Sequence, residues 1–203
     1  MTATAPHPVI SVALVIGAYL LGTFPSAVWI ARTKGVDITK VGSGNPGASN
    51  IARTLGTWWG VLVFVLDGLK GALPAAAGLL FADRAIAWAM VAAAVLGHMF
   101  PVTRGFAGGK GVATMGGASF VMQPVVSVVL LGVWGAVRRT TGLASLASIV
   151  IIIGLPVGAA IRGVPGWELA VIVVVDLVVL ARHAGNIERL LRGRELSASR
   201  AKR

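Results

Sequence analysis

Apolar runs of bilayer-crossing length, interrupted by glycine-rich polar stretches, constrain this chain more than any other feature. The runs lie at about 9–31, 57–81, 85–101, 111–137, 142–161 and 166–182. A helix needs roughly 20 mostly apolar residues to cross the hydrocarbon core, and it satisfies its own backbone polar groups there. Charged residues make up 12% of the 203, and mean hydropathy is +0.86. A soluble domain carries about 25% charged residues, so a soluble helical protein is disfavoured. Packing so many spans into this length leaves short loops and predicts one membrane domain over 1–193, followed by a disordered, basic cytoplasmic tail at 194–203. The opening MTATAPHPVISVALV has no Lys or Arg before its apolar run. It lacks the basic start of a cleaved signal peptide, so 9–31 reads as a retained first span.

The charges set the orientation. A net charge of +11 in a soluble protein would point to nucleic acid. Between membrane spans it fits the positive-inside rule and anionic headgroups, so the expected partners are membrane lipids and not nucleic acid. Gln123-Pro124 interrupts 111–137. With two short helices there, at 111–122 and 125–137, the total is seven and the termini lie on opposite sides. Arg32, Lys34, Lys40, Arg53, Arg104, Lys110, Arg138, Arg139 and everything from Arg182 onward then share one face, 15 of the 18 Lys and Arg. Arg84 and Arg162 lie opposite, and Lys70 lies within a span. The expected fold is therefore all-α: a polytopic membrane bundle of seven helices, N-terminus outside, C-terminus cytoplasmic. The hairpin helices are short, since 12 helical residues rise about 18 Å against a core of about 30 Å.

Irregular polar backbone near a membrane is tolerated where it is buried in protein or lines a wet cavity. Three such segments fall on the basic face. The first is Gly42-Ser43-Gly44-Asn45-Pro46-Gly47-Ala48-Ser49-Asn50, with Arg53 after it. Glycines let amides approach an anion, Ser and Asn add donors, and Arg53 brings a planar fork for phosphate. Ser49 or Asn50 could cap a helix starting near Ile51. The plainer reading is a flexible loop with an N-cap. The second segment, Gly105-Phe106-Ala107-Gly108-Gly109-Lys110-Gly111, fails the nucleotide P-loop pattern. Arg104 stands where the first Gly belongs, and Gly111 stands after the Lys. A Lys among glycines at a helix start still favours phosphate, with an interfacial snorkelling Lys as the alternative. In the third, Arg182-His183-Ala184-Gly185-Asn186, a helix would put His183 and Asn186 on one face. Its alternative is an amphipathic tail on anionic lipid, which suits Arg192 to Arg203 better.

Asp67 and Lys70 are also three apart and inside a span, as an ion pair or a catalytic pair. Ser145 and Ser148 begin a span near the basic face. Glu188 and Glu195 read as solvated. There is no cysteine and no His/Asp/Glu pattern with metal spacing.

GSGNPGASNIAR, DGLKGALP, LGHMFPVTRGFAGGKGVAT and RHAGNIERLLRG occur in that order. Together they resemble the bacterial acyl-phosphate:glycerol-3-phosphate acyltransferases, the PlsY family, over roughly 17–193. The resemblance implies a seven-helix inner-membrane enzyme. It moves a fatty acyl group from acyl phosphate to the 1-hydroxyl of glycerol 3-phosphate, giving lysophosphatidic acid and phosphate, with no cofactor, no metal and no acyl-enzyme. It points to Ser43, Arg53, Lys110, Ser148, His183 and Asn186 as the polar pocket. Three departures stand out: Ser49 where Thr is usual, Ala107 where Lys is common, and Ala184-Gly185 where polar residues are common.

On that basis Arg53, Lys110 and Ser148 are expected at the phosphates, with backbone donors from Gly42, Gly44, Asn45, Gly108 and Gly109. Ser43, His183 and Asn186 are expected at the reacting groups. His183 acts either as general base or as a ligand of glycerol 3-phosphate. A transporter for phosphate or organic anions is the competing class, and it would need polar residues through the bilayer midplane. The basic tail is a possible transient contact for an enzyme that makes acyl phosphate.

Overall fold

A computed structural model describes residues 8–197, and all regular structure among them is helical. Arg200, Lys202 and Arg203 of the expected tail lie outside the described residues. The chain divides into two compact units at Met122/Gln123.

The first unit begins with α1 (Pro8–Gly22) and α2 (Ser26–Thr33). The expected first span is therefore broken. Pro25 is the N-cap of α2, and Ser26 N–H turns back to the Phe24 carbonyl at 3.1 Å. Proline has no N–H to extend α1 through this point. Next come α3 (Ala48–Leu55), α4 (Thr57–Phe81), α5 (Arg84–Met99) and α6 (Val112–Met122). Asp83 caps α5 by accepting the Ile86 N–H at 2.8 Å, and Arg84 donates to the Met122 carbonyl at 3.2 Å, closing the end of α6.

Small residues bring these helices into backbone contact. A Cβ on Gly71 would strike the Thr114 carbonyl of α6, and one on Gly117 would strike the Gly68 carbonyl of α4. Gly22 and Gly97 do the same between α1 and α5, against Ala94 and Tyr19. Membrane helices associate through such close approach, because lipid is as apolar as Leu and gives no hydrophobic drive. The loop and short helices pack on a core of Ala27, Val28, Ala31, Ile38, Ile51 and Val63.

The second unit holds α7 (Pro124–Thr141), α8 (Ala144–Ile161), α9 (Gly166–Ala181) and α10 (Ala184–Leu191). The break expected in 111–137 is present at Gln123, with Pro124 opening α7, where a missing N–H does no harm. A Cβ on Gly158 would meet Val126 at 2.6 Å, so α7 and α8 also pack through a glycine.

Pro8–Thr33, Thr57–Phe81, Arg84–Arg104 and Ala144–Ile161 are long and apolar enough to cross a membrane. α9 with α10, bent by 60°, makes a fifth if counted as one span. Val9, Val12, Ile16 and Leu20 on α1 and Ile153, Val157 and Ile161 on α8 are exposed. Apolar rows of that kind fit lipid and not water.

Candidate active site

The 34–47 loop is stitched from inside by Asn50. This side chain is 1% exposed. Its Oδ1 accepts the Ser43 N–H at 3.0 Å, and its Nδ2 donates to the carbonyls of Val41 at 2.9 Å and Ile38 at 3.3 Å. Gly42 and Gly44 have φ of 61° and 69°, which glycine adopts freely. A Cβ at Gly42 would collide with Asn50 Oδ1. The expected cap is corrected here: α3 starts at Ala48 with Gly47 as N-cap and no side-chain cap, and Ser49 is exposed. Asn50 lies inside the helix and is consumed by the loop.

Ser43 is thereby presented to Arg53, whose Nη2 donates to Ser43 Oγ at 3.4 Å, while Asn45 N–H points to the same oxygen at 3.4 Å. The loop's own carboxylate is turned to other work. Asp37 accepts from the hydroxyl of Thr39 at 2.6 Å and its amide at 3.1 Å, and Lys40 lies 3.6 Å away. The Thr39 hydroxyl, then its amide, holds the Asp37 carboxyl below the usual range.

The second glycine-rich loop leaves α5 at Phe100. Tyr19 Oη donates to the Phe100 carbonyl at 2.8 Å and accepts the Val102 N–H at 3.2 Å. A 3-10 turn, Val102–Arg104, leads to Gly105 and Phe106, with φ of 57° and 64°. Gly109 N–H then returns to the His98 carbonyl at 3.1 Å. Gly108 and Gly109 are buried, and Lys110 is half-buried immediately before α6.

In the second unit His183 is the N-cap of α10, at the elbow with α9, and is 2% exposed. Its Nδ1 lies 2.8 Å from the Val179 carbonyl. A carbonyl only accepts, so Nδ1 carries a proton, and in the neutral ring Nε2 is the acceptor nitrogen. Asn186 Nδ2 donates to Glu195 Oε1 at 2.8 Å, and Arg189 Nε pairs with Glu195 Oε2 at 2.9 Å. The expectation of a solvated Glu195 is corrected: its side chain is 5% exposed. Glu188 is exposed and pairs with Arg192 at 3.0 Å. Ser148 is buried, donates to the Ala144 carbonyl at 2.9 Å and accepts from Trp134 Nε1 at 3.3 Å.

Asp67 and Lys70 form the ion pair expected, 2.6 Å apart and each 4% exposed at the side chain. Ser26 Oγ donates to Asp67 at 2.7 Å, Lys70 donates to the Phe24 carbonyl, and His98 Nδ1 is 3.8 Å from Asp67. Ser26, Asn50, His98 and Glu195 are the residues that motif reading missed. Asn50 and His98 lie inside recognised motifs and Glu195 just after one, while Ser26 lies in none, and their partners are distant in sequence or already assigned to another role.

The model of the family described as glycerol-3-phosphate acyltransferase matches residues 12–193. The chain belongs to the glycerol-3-phosphate acyltransferase family. A glycerol-3-phosphate acyltransferase of Aquifex aeolicus is 44% identical over 188 residues, covering 90% of this chain and 96% of the relative. One of Rubrobacter xylanophilus is 38% identical, covering 92% and 94%. The crystal structure of PlsY (YgiH), an integral membrane glycerol 3-phosphate acyltransferase, in its glycerol 3-phosphate form matches with a TM-score of 0.89 at 43% identity, covering 93% and 95%. The lysophosphatidic acid form matches with a TM-score of 0.86. This glycerol-3-phosphate acyltransferase is thus a multi-pass membrane enzyme of phospholipid synthesis.

Proposed function

We propose that the chain transfers a fatty acyl group from acyl phosphate to the 1-hydroxyl of sn-glycerol 3-phosphate, giving 1-acyl-glycerol 3-phosphate and phosphate. The observation that carries this reading is the Asn50-stitched loop, which presents the Ser43 hydroxyl to Arg53 while its own carboxylate faces Thr39 and Lys40. A hydroxyl beside a guanidinium, with the loop's Asp37 engaged by Thr39 and Lys40, suits a phosphate. Arg53, Lys110 and Ser148 bind phosphate oxygens, with Gly42, Gly44, Asn45, Gly108 and Gly109 letting the phosphate approach the loops closely. Ser43, His183 and Asn186 act at the reacting groups.

Acyl phosphate is a mixed anhydride, already activated, so positioning and charge stabilisation suffice. The 1-hydroxyl oxygen forms a bond to the acyl carbon, and the bond from that carbon to the phosphate oxygen breaks. The electron pair leaves on phosphate. The hydroxyl proton goes to a phosphate oxygen or to His183 Nε2, the ring nitrogen that does not face the Val179 carbonyl. His183→Asn separates the two routes. A lost ionisation near neutrality together with lost activity marks His183 as the base. An unchanged pH profile with a raised KM for glycerol 3-phosphate marks it as a ligand.

We read the protein as lying in the bacterial inner membrane. Its seven helices are the α1–α2 pair, α4, α5, α6, α7, α8 and α9, with the N-terminus outside and the chemistry at the cytoplasmic face. Purified protein given palmitoyl phosphate and glycerol 3-phosphate should form lysophosphatidic acid and phosphate in equal amounts. Folded protein that forms neither contradicts the reading.

A further inference from the structure

We propose that the buried Asp67–Lys70–His98 cluster sets the geometry of the Gly108–Lys110 loop, making Asp67 and His98 positioning residues for Lys110. This deepens the acyl-transfer reading and rests on it for the role of Lys110.

One side of His98 faces Asp67, with Nδ1 at 3.8 Å. The other faces the loop, where a Cβ on Gly109 would collide with His98 Nε2. The His98 carbonyl also accepts the Gly109 N–H at 3.1 Å. Next to it, a Cβ on Gly108 would collide with the same carbonyl and lie 2.6 Å from Pro101 Cδ. The two glycines therefore rest directly on the end of α5 and its imidazole. Asp67 lies on the far side of that imidazole and is itself held by Ser26 and Lys70, whose ammonium reaches the Phe24 carbonyl in the α1–α2 break. Asp67, Lys70, His98, Arg104, Gly108 and Gly109 line one recess.

A buried ion pair is a poor way to gain stability, since well-packed apolar residues often do as well or better. Its best-attested use is to specify one geometry. Here the geometry specified is that of a loop whose next residue is Lys110, one peptide bond and 3.8 Å of Cα distance away. Misplacement of about 1 Å in a positioning element can lower a rate by about 10²-fold.

The test uses the full-length enzyme as wild type, His98→Ala, His98→Asn, Asp67→Asn/Lys70→Met and the triple combination of the first and third changes. The double variant removes the charge pair as a unit and leaves no lone buried charge to unfold the protein. Kinetics with palmitoyl phosphate and glycerol 3-phosphate are read beside hydrogen exchange. The expected result is a KM for the phosphate-bearing substrates raised about 10-fold or more in His98→Ala and in the double variant. His98→Asn, which keeps a donor facing Asp67, recovers most of the loss. The triple variant is no worse than either parent, because all act through one path. Exchange rises in 105–112 and not along α4 or α5. Wild-type KM and exchange in both variants would overturn the proposal. So would exchange rising throughout α4 and α5, which marks a purely structural pair. If the wild type transfers no acyl group, the acyl-transfer reading falls, and the exchange data still decide whether the cluster holds the loop.

Discussion

Asn50 shows how much one side chain can carry. It fills three hydrogen bonds of a loop that has no regular structure of its own. Asn50→Ala strands one buried and two partly buried backbone groups, at a cost of up to about 1–3 kcal/mol each. The expected outcome is a loss of several kcal/mol and a raised KM for the phosphate substrates, read by thermal unfolding in detergent and steady-state kinetics. Gly42→Ala tests the same loop from its backbone. It meets both a φ of 61° and Asn50 Oδ1, and it should lower activity in the same kinetic assay. Glu195 makes the parallel case there. Hydrogen bonds to a charged group contribute about 1.5–3 kcal/mol. Glu195→Gln should therefore loosen Asn186 and lower kcat about 10-fold or more, with Asn186→Ala adding little in the combined variant.

At the scale of elements, the α4–α6 pair depends on glycine where backbones touch. Gly71→Val drives a side chain into the Thr114 carbonyl, whereas a Cβ on Gly116 meets nothing within 4 Å. Overpacking costs about 1–3 kcal/mol. Gly71→Val should lower the Tm by several degrees and Gly116→Val should leave it nearly unchanged, and equal effects would contradict the packing described. The helices themselves were legible from apolar periods and from Pro124, because span length and proline act locally. The α1–α2 break was not, since the apolar run passes through it and Pro25 alone carried the signal. Asp67 and Lys70 were legible as a pair, being three apart on one helix. Ser26, 41 residues from Asp67, was not. Glu195 looked solvated because its carboxylate turns back onto Asn186 only after the turn at Gly193, whose φ is 63°. Ser49 and Asn50 looked like caps because cap composition and loop-stitching composition are the same.

Over the whole molecule, two assignments remain to be tested directly: orientation and donor. The chain has no cysteine, so single introduced thiols report cleanly. In intact cells a membrane-impermeant maleimide should label Gly163→Cys and spare Lys40→Cys until the membrane is opened, and the reverse pattern would invert the topology. The donor bears on the central claim, because a mixed anhydride lets the enzyme work by placement alone. The measurement is acyl transfer to glycerol 3-phosphate by the purified enzyme, with palmitoyl phosphate compared against palmitoyl-CoA. Transfer from palmitoyl phosphate, abolished by Arg53→Ala or Lys110→Ala, and none from the thioester is the predicted result. Transfer from the thioester alone, or transfer that survives both substitutions, would contradict the account.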